Sequence, residues 1–130
     1  MINKIVKIGK YKNFNYMVKH YDWSENKKKG NIDDSYSLDF QRTTDWFCGY
    51  VEIPQDHEFY ELDYIDIYRD YEEIDVHGGL NFSDRLEENG AWYIGFHCHH
   101  LYDNSIEQDE HYTERQCKYL IDQLKEMEND

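Results

Sequence analysis

Polar and apolar residues alternate through 3–8 (NKIVKI), the period-2 pattern of a half-buried strand, and 11–21 (YKNFNYMVKHY) reads as a second strand. Residues 24–37 (SENKKKGNIDDSYS) are polar throughout and predict an exposed loop. From Asp45 to Ile53 (DWFCGYVEI) the chain is apolar and aromatic, and Pro54 closes it, which predicts a third strand. The stretch from His57 to Tyr71 is crowded with tyrosines and acids and predicts a loop followed by a short helix. Glu73 to His77 (EIDVH) alternates again and predicts a short strand, stopped where Gly78-Gly79 permits a tight turn with positive φ. Asn81 to Ser83 then leads into a polar loop over 84–90. The turn signal Asn89-Gly90 precedes a strand over Ala91–His100 (AWYIGFHCHH).

The last element has a different period. Cys117, Leu120, Ile121, Leu124 and Met127 recur at helical spacing along one face, and Thr113 with Gln116 matches a capping box, so the helix is expected to start near residue 114. Several strands and one long terminal amphipathic helix define an α+β fold, a small mixed or antiparallel sheet packed by that helix. At 130 residues the chain suits one domain, 1–130.

Composition changes this picture in two ways. Tyrosine (13), phenylalanine (6) and tryptophan (3) bring aromatics to 17%, too many for a disordered chain despite 32% charged residues. The net charge of −14 opposes binding to nucleic-acid phosphates, so direct nucleic-acid binding is not expected. That charge is uneven. Residues 1–30 carry eight lysines against Asp22 and Glu25, a net of +6; residues 31–130 keep six basic and 26 acidic residues, a net of −20. Such asymmetry fits an acidic surface meant for a basic partner, or a basic edge that pairs with it internally. Between 56 and 75, Glu58, Glu61, Asp63, Asp66, Asp70, Glu72 and Glu73 surround Tyr60, Tyr64, Tyr68 and Tyr71. A helical reading of 61–73 puts Asp63, Asp66 and Asp70 along one face. No run approaches the ~20 apolar residues of a membrane span, and the first residues lack a signal-peptide core. Three cysteines, an odd number, argue against a disulfide framework and for a reducing, cytoplasmic setting.

Candidate chemistry gathers around 97–103. On a strand, Cys98 and His100 point to the same side, two of the thiolate and imidazole donors that a tetrahedral Zn²⁺ site needs. His77 and His57 are the best sources of the other half, which gives His57, His77, Cys98 and His100 as expected zinc ligands, with Cys48, His97 and Asp103 in reserve. Zinc would reinforce a thin core, since structural sites contribute on the order of 10 kcal/mol to small folds. Two enzymatic readings stand beside it. Cys98 with a histidine could form a nucleophile pair. An open metal site beside Glu73 or Asp75 could hydrolyse nucleotides or other phosphodiesters. Gly78-Gly79 lacks the context of a phosphate-binding loop.

Cys48-Gly49-Tyr50-Val51, Pro54, His57, Val76-His77-Gly78-Gly79-Leu80, the run Trp92–Phe96 with Cys98 and His100, and Asp103 together resemble a family of small phage and prophage proteins. That family's pattern is a CGYV strand, an HGGLT turn and a GFDCAH strand followed by Asp; the likeness covers roughly residues 46–125, including Tyr112, Leu120 and Leu124. His97, His99 and Tyr102 depart from it, standing where Asp, Ala and Gly are usual. The resemblance implies a phage-derived protein of the bacterial cytoplasm, similar to the small acidic anti-CRISPR proteins that inhibit Cas9. Cas9 carries basic channels for guide and target nucleic acid, which a tyrosine-studded row of carboxylates could occupy.

Overall fold

A computed structural model describes residues 2–22, 45–71, 73–100 and 103–128. The loop expected over 24–37 lies outside the described residues. Five antiparallel strands form one sheet in the order β1-β2-β3-β5-β4: β1 Ile2–Tyr11, β2 Phe14–Asp22, β3 Asp45–Glu52, β4 Phe82–Arg85 and β5 Trp92–His97. Two helices complete the described elements, α1 Tyr64–Asp70 and α2 Glu110–Glu128. The α+β architecture, an antiparallel sheet packed by the C-terminal helix, is the one the periodicities predict. No helix among the described residues is long and apolar enough to cross a membrane.

Alternation along the strands sorts side chains onto two faces. Phe14, Tyr16, Val18, Val51, Ile94, Phe96 and Cys98 face α2, whose Cys117, Leu120, Ile121 and Leu124 complete the main core. Full burial of each of those three aliphatic helix residues contributes roughly 2 kcal/mol. Gly49 sets how close the helix comes: a Cβ there would lie 2.5 Å from the Phe96 ring and 2.7 Å from Cys117 Sγ. The opposite face carries a smaller cluster of Met17, Cys48, Tyr50, Leu86 and Tyr93. The β1–β2 turn is Lys12-Asn13, both at positive φ, as the two-residue hairpin that matches strand twist requires.

Three local expectations need correction. The segment 73–77 is not a strand. Ile74 and Val76 are buried and Glu73 and Asp75 exposed, so the period-2 pattern is real. Its backbone, however, bonds to α2 side chains rather than to the sheet. The Asp75 amide donates to Gln123 Oε1 (2.8 Å), Gln123 Nε2 donates to the Asp75 carbonyl (2.6 Å), and the His77 amide donates to Gln116 Oε1 (2.8 Å). Conversely, 82–85, read as the start of a polar loop, forms edge strand β4, paired to β5 through a turn in which Gly90 has φ +70°. An edge strand with one solvated face carries little apolar signal. Finally, α2 starts at Glu110 rather than 114. Asp109 caps it by accepting from the Tyr112 amide (2.9 Å), while Thr113 is buried and donates its hydroxyl to the Asp109 carbonyl, so Gln116 is free to hold His77.

One charge lies in the smaller core. Lys19 is 6% exposed, and its ammonium pairs with Glu88 at 2.6 Å and sits 5.5 Å from the Tyr50 ring centre. A buried ammonium stripped of its partner costs more than the intact pair gains. Glu88→Gln is therefore expected to destabilise the fold by about 2 kcal/mol in urea unfolding, a value discounted for Glu88's partial exposure. Adding Lys19→Met should recover most of that loss. The Lys19 hydrogen bond holds the Glu88 carboxyl below its ordinary range. Its contribution is thus complete above the unfolded value of about 4.3 and disappears as pH falls through the lower folded one. Unchanged stability in Glu88→Gln would refute the role given to the pair.

Candidate functional site

The site is assembled by three segments that meet beside the N-terminal half of α2. The first is the turn Val76–Gly79, where the Gly79 amide donates to the Val76 carbonyl (2.8 Å) and both glycines have positive φ, as the sequence predicts. A Cβ on Gly78 would sit 2.1 Å from His100 Cε1, so the missing side chain lets the turn lie directly on that imidazole. The second segment is the chain leaving β5. Cys98 still donates its amide to the Phe47 carbonyl (2.9 Å), but beyond it the strand ends in a bend. The third is Asp103, whose amide donates to the His100 carbonyl (2.9 Å) and whose side chain is pulled back over His100.

Asp103 is the hub of the arrangement. It is 9% exposed, and its Oδ2 lies 2.8 Å from His77 Nε2, 2.9 Å from His100 Nδ1 and 2.9 Å from the His100 amide nitrogen. Burial alone would raise its carboxyl, yet these hydrogen bonds from His77 and His100 hold it below the usual range. The far nitrogen of His77, Nδ1, is 2.8 Å from the Tyr112 hydroxyl on α2. One ligand atom each from His77, His100 and Asp103 lies within 4.8 Å of the others. The His97 ring meets the edge of His100 with centroids 4.5 Å apart; burial, then the neighbouring His100, pushes it down to about 4, so it stays neutral.

Of the four expected zinc ligands, the structure brings His77 and His100 together, with Asp103, which the sequence reading held in reserve. His57 lies elsewhere. It is buried between Phe14 and Phe59, its Nδ1 accepts from the Phe59 amide (3.0 Å), and Nε2 is 3.5 Å from the Leu124 carbonyl. Leu124 is twelve residues along α2 from Tyr112, about 18 Å of helix. Cys98 packs in the core with Sγ 3.7 Å from Thr113 Oγ1, and burial pushes its thiol up to about 12. Its Sγ is not among the ligand atoms that gather at Asp103, and a thiol held protonated is a poor nucleophile. Cys48 belongs to the cluster on the opposite sheet face, and burial raises it to about 12 as well. Asp75 accepts from the Tyr119 hydroxyl (3.0 Å) while its amide donates to Gln123, and its carboxylate is not among the grouped ligand atoms.

The acidic residues of 56–75 divide by use. Asp63 caps α1 by accepting from the Ile65 amide (2.9 Å), so the helix spans 64–70 rather than 61–73. Asp66 and Asp70 flank Arg69 at 3.1 and 3.6 Å, and Glu61 pairs with Arg85. Glu72 lies outside the described residues. Glu58, which accepts from the Tyr71 hydroxyl, joins Asp70, Glu73 and Glu126 around a groove of about 630 Å³ floored by Ile74 and Met127. No basic side chain lines it.

Comparison of the chain with protein-family models, with curated proteins and with solved structures returns no match. Sequence reasoning missed Tyr112 and Gln116 as supports of His77. The signal was available in the stripe Tyr112, Gln116, Tyr119, Gln123, which repeats at helical spacing one residue out of step with the apolar stripe.

Gly78→Ala is expected to cost about 3 kcal/mol or more, combining the positive φ with the collision against His100. Gly90→Ala, at a similar φ with open space around it, should cost only about 1 kcal/mol. Equal losses in chemical denaturation would show that the turn does not press on His100.

Proposed function

We propose that this chain is a binding protein that engages a basic protein partner through the acidic surface around α1 and the adjoining groove. It competes there with the nucleic acid that partner carries. The observation that supports this reading is the groove itself. Four carboxylates border an apolar floor with no cation among its lining residues, a shape and chemistry suited to a lysine or arginine side chain with its aliphatic stem. Glu73 and Glu126 have no basic partner among the described residues, so their charge is available to an incoming one. Tyr71 at the rim adds rigid contact area. The motif resemblance to small phage proteins points to Cas9 as the partner, because its guide and target channels are lined with positive charge. On this reading the protein blocks nucleic-acid loading.

The test is plasmid cleavage by several Cas9 orthologues with rising amounts of the protein. Inhibition is expected at low salt and should weaken as salt rises, because carboxylate–cation steering is screened. The double variant Glu73→Lys/Glu126→Lys should lose at least tenfold in inhibitory potency, while Glu107→Lys, an exposed acid outside the groove, should change it little. Absence of inhibition by any orthologue at low salt would end the Cas9 assignment. Inhibition untouched by the double charge reversal would end the assignment of the groove.

A further inference from the structure

The His77–His100–Asp103 cluster has the composition and supports of a transition-metal site, and this holds independently of the partner-binding surface. We propose that His77 Nε2, His100 Nδ1 and a carboxylate oxygen of Asp103 bind one Zn²⁺ ion, with Tyr112 fixing the orientation of His77. His77 sits in the Val76–Gly79 turn, His100 three residues past the end of β5, and Asp103 three residues further on, ahead of α2. A divalent ion at their centre therefore fastens all three to one point. Two imidazoles with one carboxylate favour zinc over calcium or magnesium, which take oxygen ligands.

Two further features look like parts of a site rather than of a chance cluster. His77 is held at both ends of its function: its amide by Gln116 Oε1 and its outer nitrogen by the Tyr112 hydroxyl, both at 2.8 Å. Metal-binding histidines regularly have their second nitrogen engaged in this way, which selects the tautomer. In the tautomer that donates Nε2–H to Asp103, Nδ1 accepts from the Tyr112 hydroxyl. With the ion, the His77 proton resides on Nδ1 and is donated to the Tyr112 oxygen, and the Nε2 lone pair goes to the metal. His100 likewise carries its proton on Nε2 and turns the Nδ1 lone pair to the metal. No net proton is released if both imidazoles start neutral. The second feature is Gly78, whose missing Cβ lets the backbone lie against the His100 ring and fixes it over Asp103. Three protein donors leave the fourth tetrahedral position to water, and the His100 side chain, 38% exposed, marks the solvent side of the site.

The experiment uses the full chain, stripped of metal with a chelator and titrated with Zn²⁺ in competition with a chromophoric chelator, with Mg²⁺ as comparison. One zinc per chain and a rise in melting temperature are expected, with no response to Mg²⁺. Asp103→Asn and His100→Gln should each abolish uptake. Tyr112→Phe should weaken it 10–100-fold. Cys98→Ser and His57→Gln should leave the affinity unchanged. The unmodified protein loaded with Co²⁺ should give ligand-field bands without a thiolate charge-transfer band, a readout that does not depend on any variant folding. Failure to take up zinc, uptake that survives both Asp103→Asn and His100→Gln, or a thiolate band would each overturn the proposal. None of these outcomes bears on whether the groove binds a basic partner.

Discussion

The packing of α2 across the sheet is the contact on which the remaining features depend. Its apolar stripe, Cys117, Leu120, Ile121 and Leu124, is fully buried, and Gly49 allows the helix to approach β3 closely. Beside that stripe runs a second one, Tyr112, Gln116, Tyr119 and Gln123, at the same helical spacing. It holds the segment 74–77 antiparallel to the helix: Gln123 and Tyr119 bind Asp75, and Gln116 and Tyr112 bind His77. A stretch of backbone that would otherwise need a strand partner is satisfied by glutamine side chains. The segment thus joins the two features of interest, with His77 at the end toward the N-terminus of α2 and Glu73 and Ile74 lining the groove near its C-terminus. Helix, segment and both sites form one mechanical unit, because loss of the apolar stripe would remove the support of each.

Elements with a strong pattern could be read from the sequence. The N-terminal strand shows by its alternation, β3 and β5 by apolar, aromatic runs that are buried on both faces, and the body of α2 by its one-sided stripe. The failures occurred where a backbone partner was not another strand. Residues 73–77 carry a strand's alternation because Ile74 and Val76 do face the core, yet pattern alone cannot show whether amides meet a strand or a glutamine. The edge strand Phe82–Arg85 failed in the opposite direction, being too short and polar to register. For the site, the strand rule placed Cys98 and His100 on one side, which holds only while the strand continues. It ends in a bend after the Cys98 amide, and Asp103 draws back over His100 to accept from its amide and imidazole. The spacing of three between His100 and Asp103 is the one sequence signal for that contact. His57 illustrates the limit of composition, since a buried histidine bonded to an amide and packed by two phenylalanines is indistinguishable in sequence from a ligand.

The net charge of −14 conceals an internal division of labour. Lysines of the N-terminal hairpin return to acids of the body: Lys7 approaches Glu114 (3.8 Å), Lys12 pairs with Asp122 (2.8 Å) and Lys19 with Glu88 (2.6 Å). Exposed pairs of this kind are each worth about 0–1 kcal/mol, so the first two contribute little stability. Their larger effect is on the distribution of potential. They neutralise acids on α2 and on the β4–β5 turn, and Arg69 and Arg85 do the same for Asp66 and Glu61. Among the acids left without such a pair, Glu73 and Glu126 line the groove where the C-terminal ends of α1 and α2 converge. Carboxylates spread evenly over a surface would raise solubility and attract any cation weakly. The same groups gathered around a groove focus the field on one position, which favours a defined cationic side chain over diffuse counter-ions. The lysine-rich leader therefore sharpens the acidic surface by pairing with Glu114, Asp122 and Glu88, three acids that lie outside the groove.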